Sequence, residues 1–130
     1  MTRDPKLIVL LFNECINNRD IAGLSDLLAE DYVFIDSSDE IHAGGKEISA
    51  AGWQQFFDLY PDYHNHFVTL TTRENLVLVL GNSTCSYEPL DGPAIWTARV
   101  ENDLVAEWRV YLDTEENRRR LGLESNNSAT

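Results

Sequence analysis

Asp36 is the residue best placed in this sequence to move a proton. It closes a short apolar run, Tyr32-Val33-Phe34-Ile35, and a polar stretch then leads to Gly44-Gly45. A carboxylate there acts as a general base when apolar neighbours lift its pKa from about 3.9 towards neutrality. Left in water, the same acid only caps the Ser37-Ser38-Asp39 loop. Downstream, Trp53, Phe56, Phe57 and Tyr60 recur at i, i+3, i+4 and i+7, which is one face of an α-helix. An acid beside a wall of aromatic rings lines a cavity for a greasy, weakly polar small molecule. The same pattern also builds an ordinary core next to a solvated loop, so both readings stand at this point.

Few other residues offer chemistry. His42 lies in the loop before Gly44, where an imidazole either donates to a ligand or is simply exposed. His64 and His66 form an H-x-H pair that shares a face if Asn65 is already in a strand; no third ligand is evident, and no metal site is expected. Cys15 sits in a helical pattern and Cys85 in a strand pattern, and both are expected as small buried thiols. Tyr87 points the same way as Cys85 along its strand and offers a hydroxyl donor. Glycine-rich nucleotide loops and clustered metal ligands are lacking, so no cofactor is expected.

These side chains are positioned by two kinds of element. Asp4-Pro5 is a helix start, with Ile8, Leu11, Phe12, Cys15 and Ile16 on one stripe. After Asn17-Asn18-Arg19, Asp20 caps a second helix that turns Ile21, Leu24, Leu27 and Leu28 inward. The strand ending in Asp36 follows, then a third helix stopped by Pro61. Beyond Pro61 the period changes to 2, with strands expected near 66–72, 76–81, 83–87, 94–100 and 104–112. Gly81-Asn82 also allows 76–87 to be one long bent strand. On the last strand Trp108, Val110 and Leu112 share one face; Glu107, Arg109, Tyr111 and Asp113 share the other, a face suited to dimer contact. Trp96 and Trp108 are expected as pocket walls or as core. Three helices followed by a run of strands specify an α+β domain over residues 1–123, with a disordered tail at 124–130.

Composition bounds the partners. Acidic residues outnumber basic ones 22 to 10, for a net charge of −12, and such a field repels phosphate backbones and anionic membranes. Nucleic acid is therefore not an expected partner, and no apolar run is long enough to span a bilayer. The N-terminus lacks the layout of a signal peptide, which predicts a cytoplasmic address.

Five stretches in order resemble the SnoaL-like, polyketide cyclase-like branch of the nuclear-transport-factor-2-like superfamily, which also holds ketosteroid isomerase and limonene-epoxide hydrolase. They are Leu27-Leu28-Ala29-Glu30-Asp31-Tyr32, Ile41-His42-Ala43-Gly44-Gly45-Lys46-Glu47-Ile48, Phe57-Asp58-Leu59-Tyr60-Pro61-Asp62, Glu107 to Asp113, and Arg120-Leu121-Gly122-Leu123. The resemblance implies a cone of three N-terminal helices on a strongly curved antiparallel sheet, a homodimer formed through the sheet, and a pocket inside the cone. Its catalytic patterns carry over unevenly. The cyclases and epoxide hydrolases keep an aspartate where this chain has Val110, and the cyclases keep a histidine where it has Trp96. The epoxide hydrolases' arginine and aspartate are missing from Cys85-Ser86-Tyr87. The isomerase's base falls on Asp36, whereas its oxyanion-hole tyrosine and aspartate fall on Phe12 and Trp96. Two functions follow. One is a cofactor-independent, isomerase- or cyclase-like protein that binds a small hydrophobic molecule among Tyr32, His42, Trp53, Phe57, Tyr87, Trp96, Trp108 and Val110, with Asp36 as base. The other is a non-catalytic binding or dimerisation module that kept the fold alone.

Overall fold

Local signals at the N-terminus set the first two helices. In the computed structural model, which describes residues 3–123, α1 spans Pro5–Asn18 and α2 spans Ile21–Leu27. The Asp4 carboxylate caps α1 by accepting from Lys6 N at 2.9 Å, and Asp20 caps α2 by accepting from Gly23 N at 3.0 Å. Arg19, with φ of 56° in the left-handed region, turns the chain between them. Ile8, Val9, Phe12 and Ile16 of α1 are fully buried, whereas Leu11 and Cys15 lie at the edge of the stripe and are half-buried. Cys85 is half-buried as well, so neither thiol is the small core residue expected.

The chain then builds one sheet with a helix interposed. β1 (Leu28–Ile35) and the two-residue β2 (Ile41–His42) form a hairpin, and α3 (Gly45–Leu59) follows. β3 (His64–Arg73), β4 (Leu76–Thr84), β5 (Gly92–Glu101) and β6 (Leu104–Leu112) run antiparallel to one another. The strand order is β2-β1-β6-β5-β4-β3. One pair departs from the expected antiparallel sheet: β1 lies parallel to β6, because the helix and meander between them return the chain to the same edge. Of the two readings of 76–87, the single strand running through Gly81-Asn82 is the one seen, but β4 ends at Thr84, before Cys85 and Tyr87. Gly81 faces a bulge in β3 between Phe67 and Thr69, and a side chain there would strike the His66 carbonyl oxygen. A short fourth helix, α4 (Glu115–Arg120), was not expected; Thr114 caps it by accepting from Asn117 N at 3.1 Å.

The helices pack on one face of the curved sheet, and the core joins them. Phe12, Leu24, Leu28 and Phe57 meet Val77, Val79, Trp96, Ala98, Val105 and Trp108. No helix among the described residues is long and apolar enough to cross a membrane. The tail expected to be disordered, 124–130, lies outside the described residues.

Candidate functional site

Strand alternation places Tyr32 and Phe34 on the inner face of β1, and the chain then leaves the sheet at Asp36. The loop after it is held by the acid itself. Asp36 Oδ1 accepts from Ser38 N at 2.9 Å and from Glu40 N at 3.1 Å, while Asp36 N donates to the Glu40 carbonyl at 3.0 Å. The β1–β2 hairpin then brings His42 opposite Phe34, with ring centroids 5.6 Å apart, and His42 Nε2 lies 2.9 Å from Asp36 Oδ2. The His42 hydrogen bond, joined by the Glu40 and Ser38 amides, outweighs partial desolvation and holds the Asp36 carboxyl below the usual carboxylate range. Apolar burial does not lift this acid. Its side chain is 29% exposed and its hydrogen-bonding oxygens are occupied.

Asp36 and His42 border a cavity of about 620 Å³ between α3 and the sheet. α3 contributes Ile48, Ser49, Gly52, Trp53 and Phe56, at the spacing of one helix face. β6 contributes Trp108 and Val110, and β1 contributes Tyr32 and Phe34. Ile41, Ala43, Tyr63 and Leu90 complete the apolar wall. The rings are coupled: Trp53 meets Phe56 edge-on at 5.8 Å, and Trp108 lies 4.8 Å from Phe12 behind it. Trp53 Nε1 donates to the Tyr32 hydroxyl at 3.3 Å. The Tyr63 hydroxyl is engaged with Ser83 Oγ at 3.2 Å, and Ser83 Oγ in turn donates to Asn65 Oδ1 at 2.8 Å.

Of the residues singled out from the sequence, Asp36, Tyr32, His42, Trp53, Trp108 and Val110 border this one space. Three others do not. Phe57 is turned into the core, 3% exposed, because one residue's step around α3 separates it from Phe56. Trp96 packs in the core 5.0 Å from Phe67. Tyr87 lies beyond the end of β4, half exposed, and stacks on Tyr60 at 5.3 Å. Phe34 was missed although it follows Tyr32 by two residues in a strand, and Gly52 and Ser49 although they stand one turn before Phe56 and Trp53. Tyr63, Leu90 and Ile41 had no local signal.

Two groupings have metal-binding donor types. The ligand atoms of Asp36, Glu40 and His42 lie within 4.8 Å of one another, but the acid's oxygens are already taken by hydrogen bonds and the other two residues are exposed. His64 and His66 share a face of β3 with ring centroids 4.6 Å apart, and among the described residues no third donor joins them.

Comparison with known proteins agrees with this architecture. The SnoaL-like domain model matches residues 9–110, and the chain belongs to that family. An NTF2-like protein of unknown function from Cytophaga hutchinsonii superposes with a TM-score of 0.71 at 15% identity, covering 94% of this chain and 97% of that one. A candidate SnoaL-like polyketide cyclase from Shewanella putrefaciens gives a TM-score of 0.72 at 14% identity, covering 95% and 88%. An LEH-like epoxide hydrolase from M. tuberculosis gives 0.73 at 16% identity, covering 84% and 82%. At these identities the likeness is one of fold. No curated protein matches the chain.

Proposed function

We propose that this protein binds a small hydrophobic molecule in the cone and that the Asp36–His42 pair serves as its proton-handling group, in chemistry of the isomerase or cyclase type that needs no cofactor. The observation that carries the reading is the cavity: about 620 Å³, walled by Trp53, Phe34, Phe56 and Trp108, with one hydrogen-bonded acid–imidazole pair at its border. The acid's role differs from that of a lone base. A carboxylate held low by its partners is a weak proton acceptor, whereas an imidazole anchored through Nε2 keeps Nδ1 available. Asp36 therefore orients and His42 exchanges the proton. The expected homodimer belongs to the same proposal, formed through the sheet face that carries Arg109 and Tyr111.

A second reading has its own support. Val110 stands on the cavity wall where the cyclases and epoxide hydrolases of the resemblance keep an aspartate, and Trp96 is core. A binding module without catalysis would look the same at both positions. The experiment is a titration of the protein with 2-ethylnaphthalene, followed by quenching of the cavity tryptophans, in the wild type and in His42→Ala. Saturable quenching in both supports the ligand site. Its absence in the wild type removes the proposal; in a second arm, exchange of the methyl protons of bound 2-acetylnaphthalene in deuterated water that is equal in both proteins leaves binding alone.

A further inference from the structure

The cavity wall contains one buried phenol whose hydrogen bonding is half complete. Tyr32 is 1% exposed, and its oxygen accepts from Trp53 Nε1 at 3.3 Å. An indole N–H can only donate, so this contact uses a lone pair of the phenol and leaves its O–H free. Among the described residues no acceptor takes that proton. Buried hydroxyls in folded proteins are rarely left so. The cavity's other phenol, Tyr63, has its partner in Ser83. Both Tyr32 and Trp53 border the cavity, so the free O–H belongs to a residue of its wall.

We propose that the Tyr32 hydroxyl donates to an oxygen of the bound molecule, and that the ligand class is an apolar ring compound bearing a carbonyl or phenolate oxygen. This rests on the cavity being the ligand site. Three features select that chemistry. A free O–H calls for an acceptor, which a ketone, ester or phenolate oxygen supplies and an ammonium group does not. Donation from Trp53 into the phenol oxygen polarises the O–H and strengthens it as a donor. Burial also pushes the Tyr32 phenol well above its ordinary value, so the group stays protonated and neutral over the working pH range. The cavity-lining rings of Phe34, Phe56 and Trp108 offer apolar contact to the rest of the ligand. The hydroxyl comes from β1, whereas the isomerase pattern would place its donors at Phe12 and Trp96, neither of which borders the cavity.

The test compares an isosteric pair, 2-acetylnaphthalene and 2-isopropenylnaphthalene, which differ by C=O against C=CH₂. Binding is read by tryptophan quenching in the wild type and in Tyr32→Phe, after thermal melts show that the variant folds. Tyr32→Phe is expected to weaken the ketone about 5- to 10-fold, the worth of one neutral hydrogen bond, and to leave the hydrocarbon within about 2-fold. Equal weakening of both probes, or an unchanged ketone, overturns the assignment while the cavity stands. Failure of both probes to bind the wild type overturns the cavity reading and this one together. If the variant does not fold, the infrared carbonyl stretch of the ketone in the wild-type complex decides. A shift to lower wavenumber than in hexane supports donation, and a stretch at the hexane position overturns it.

Discussion

Gly52 separates the stability of this protein from its proposed ligand site. It occupies the midpoint of α3, where glycine costs about 1 kcal/mol relative to alanine through the extra freedom of the unfolded chain. A Cβ built at Gly52 meets nothing within 4 Å, and Gly52 borders the cavity. Gly52→Ala therefore incurs no steric cost against its helical gain. With an unfolding entropy of about 2.1 cal/mol/K per residue, a gain of about 1 kcal/mol corresponds to a rise in melting temperature of about 4 °C for a chain of this length. Gly52→Phe directs a benzyl group into the same open space. It should keep the fold and lower the affinity for 2-ethylnaphthalene by more than about 10-fold, since the probe and the new ring compete for one volume. Thermal melts followed by circular dichroism and tryptophan quenching measure the two effects. A lower melting temperature for Gly52→Ala would mean that the space beside it is filled. Undiminished probe binding by Gly52→Phe would mean that the ligand sits elsewhere.

Other perturbations give distinct outcomes. The Asp36 carboxyl, followed by NMR, should titrate below the ordinary aspartate value of about 3.9, and His42→Ala should move it upward by removing the first cause of the shift. Because its folded pKa is depressed, Asp36 contributes stability that is present above its unfolded pKa and lost as pH falls through the folded one; His42→Ala should shrink that acid-side loss. A titration near neutrality would restore the acid as a lone base. Phe57→Ala should cost about 3–5 kcal/mol in urea unfolding, as for other buried rings, because Phe57 is core and not wall. Gly81→Ala should destabilise where Gly52→Ala stabilises, since its Cβ would meet the His66 carbonyl across the β3 bulge. Sedimentation at micromolar concentration should give twice the chain mass, and a monomer would remove the proposed dimer.

The elements of this fold were legible because their signals are local. Asp4-Pro5, Asp20 and Pro61 mark helix ends by side-chain hydrogen bonding and a missing N–H, and β5 and β6 declare themselves by alternation. Tyr32, Trp53 and Trp108 were legible for the same reason, each sitting on a face that its own element's period defines, and Asp36 was legible as the acid that ends an apolar run. What the period leaves open is which of two adjacent positions faces the hollow and which the core. Phe56 and Phe57 differ by one residue and about 100° of helix, and only the packing of α3 on β1 turned the first to the cavity and the second inward. Trp96 and Trp108 both lie buried on inner strand faces and both touch Phe67, yet only Trp108 borders the cavity. The hairpin that seats His42 against Asp36 was invisible locally, since its second strand is two residues long and is held by contacts with β1 rather than by propensity. Capping and periodicity act within a few residues, whereas a cavity is a property of curvature, and curvature exists only once the strands have met.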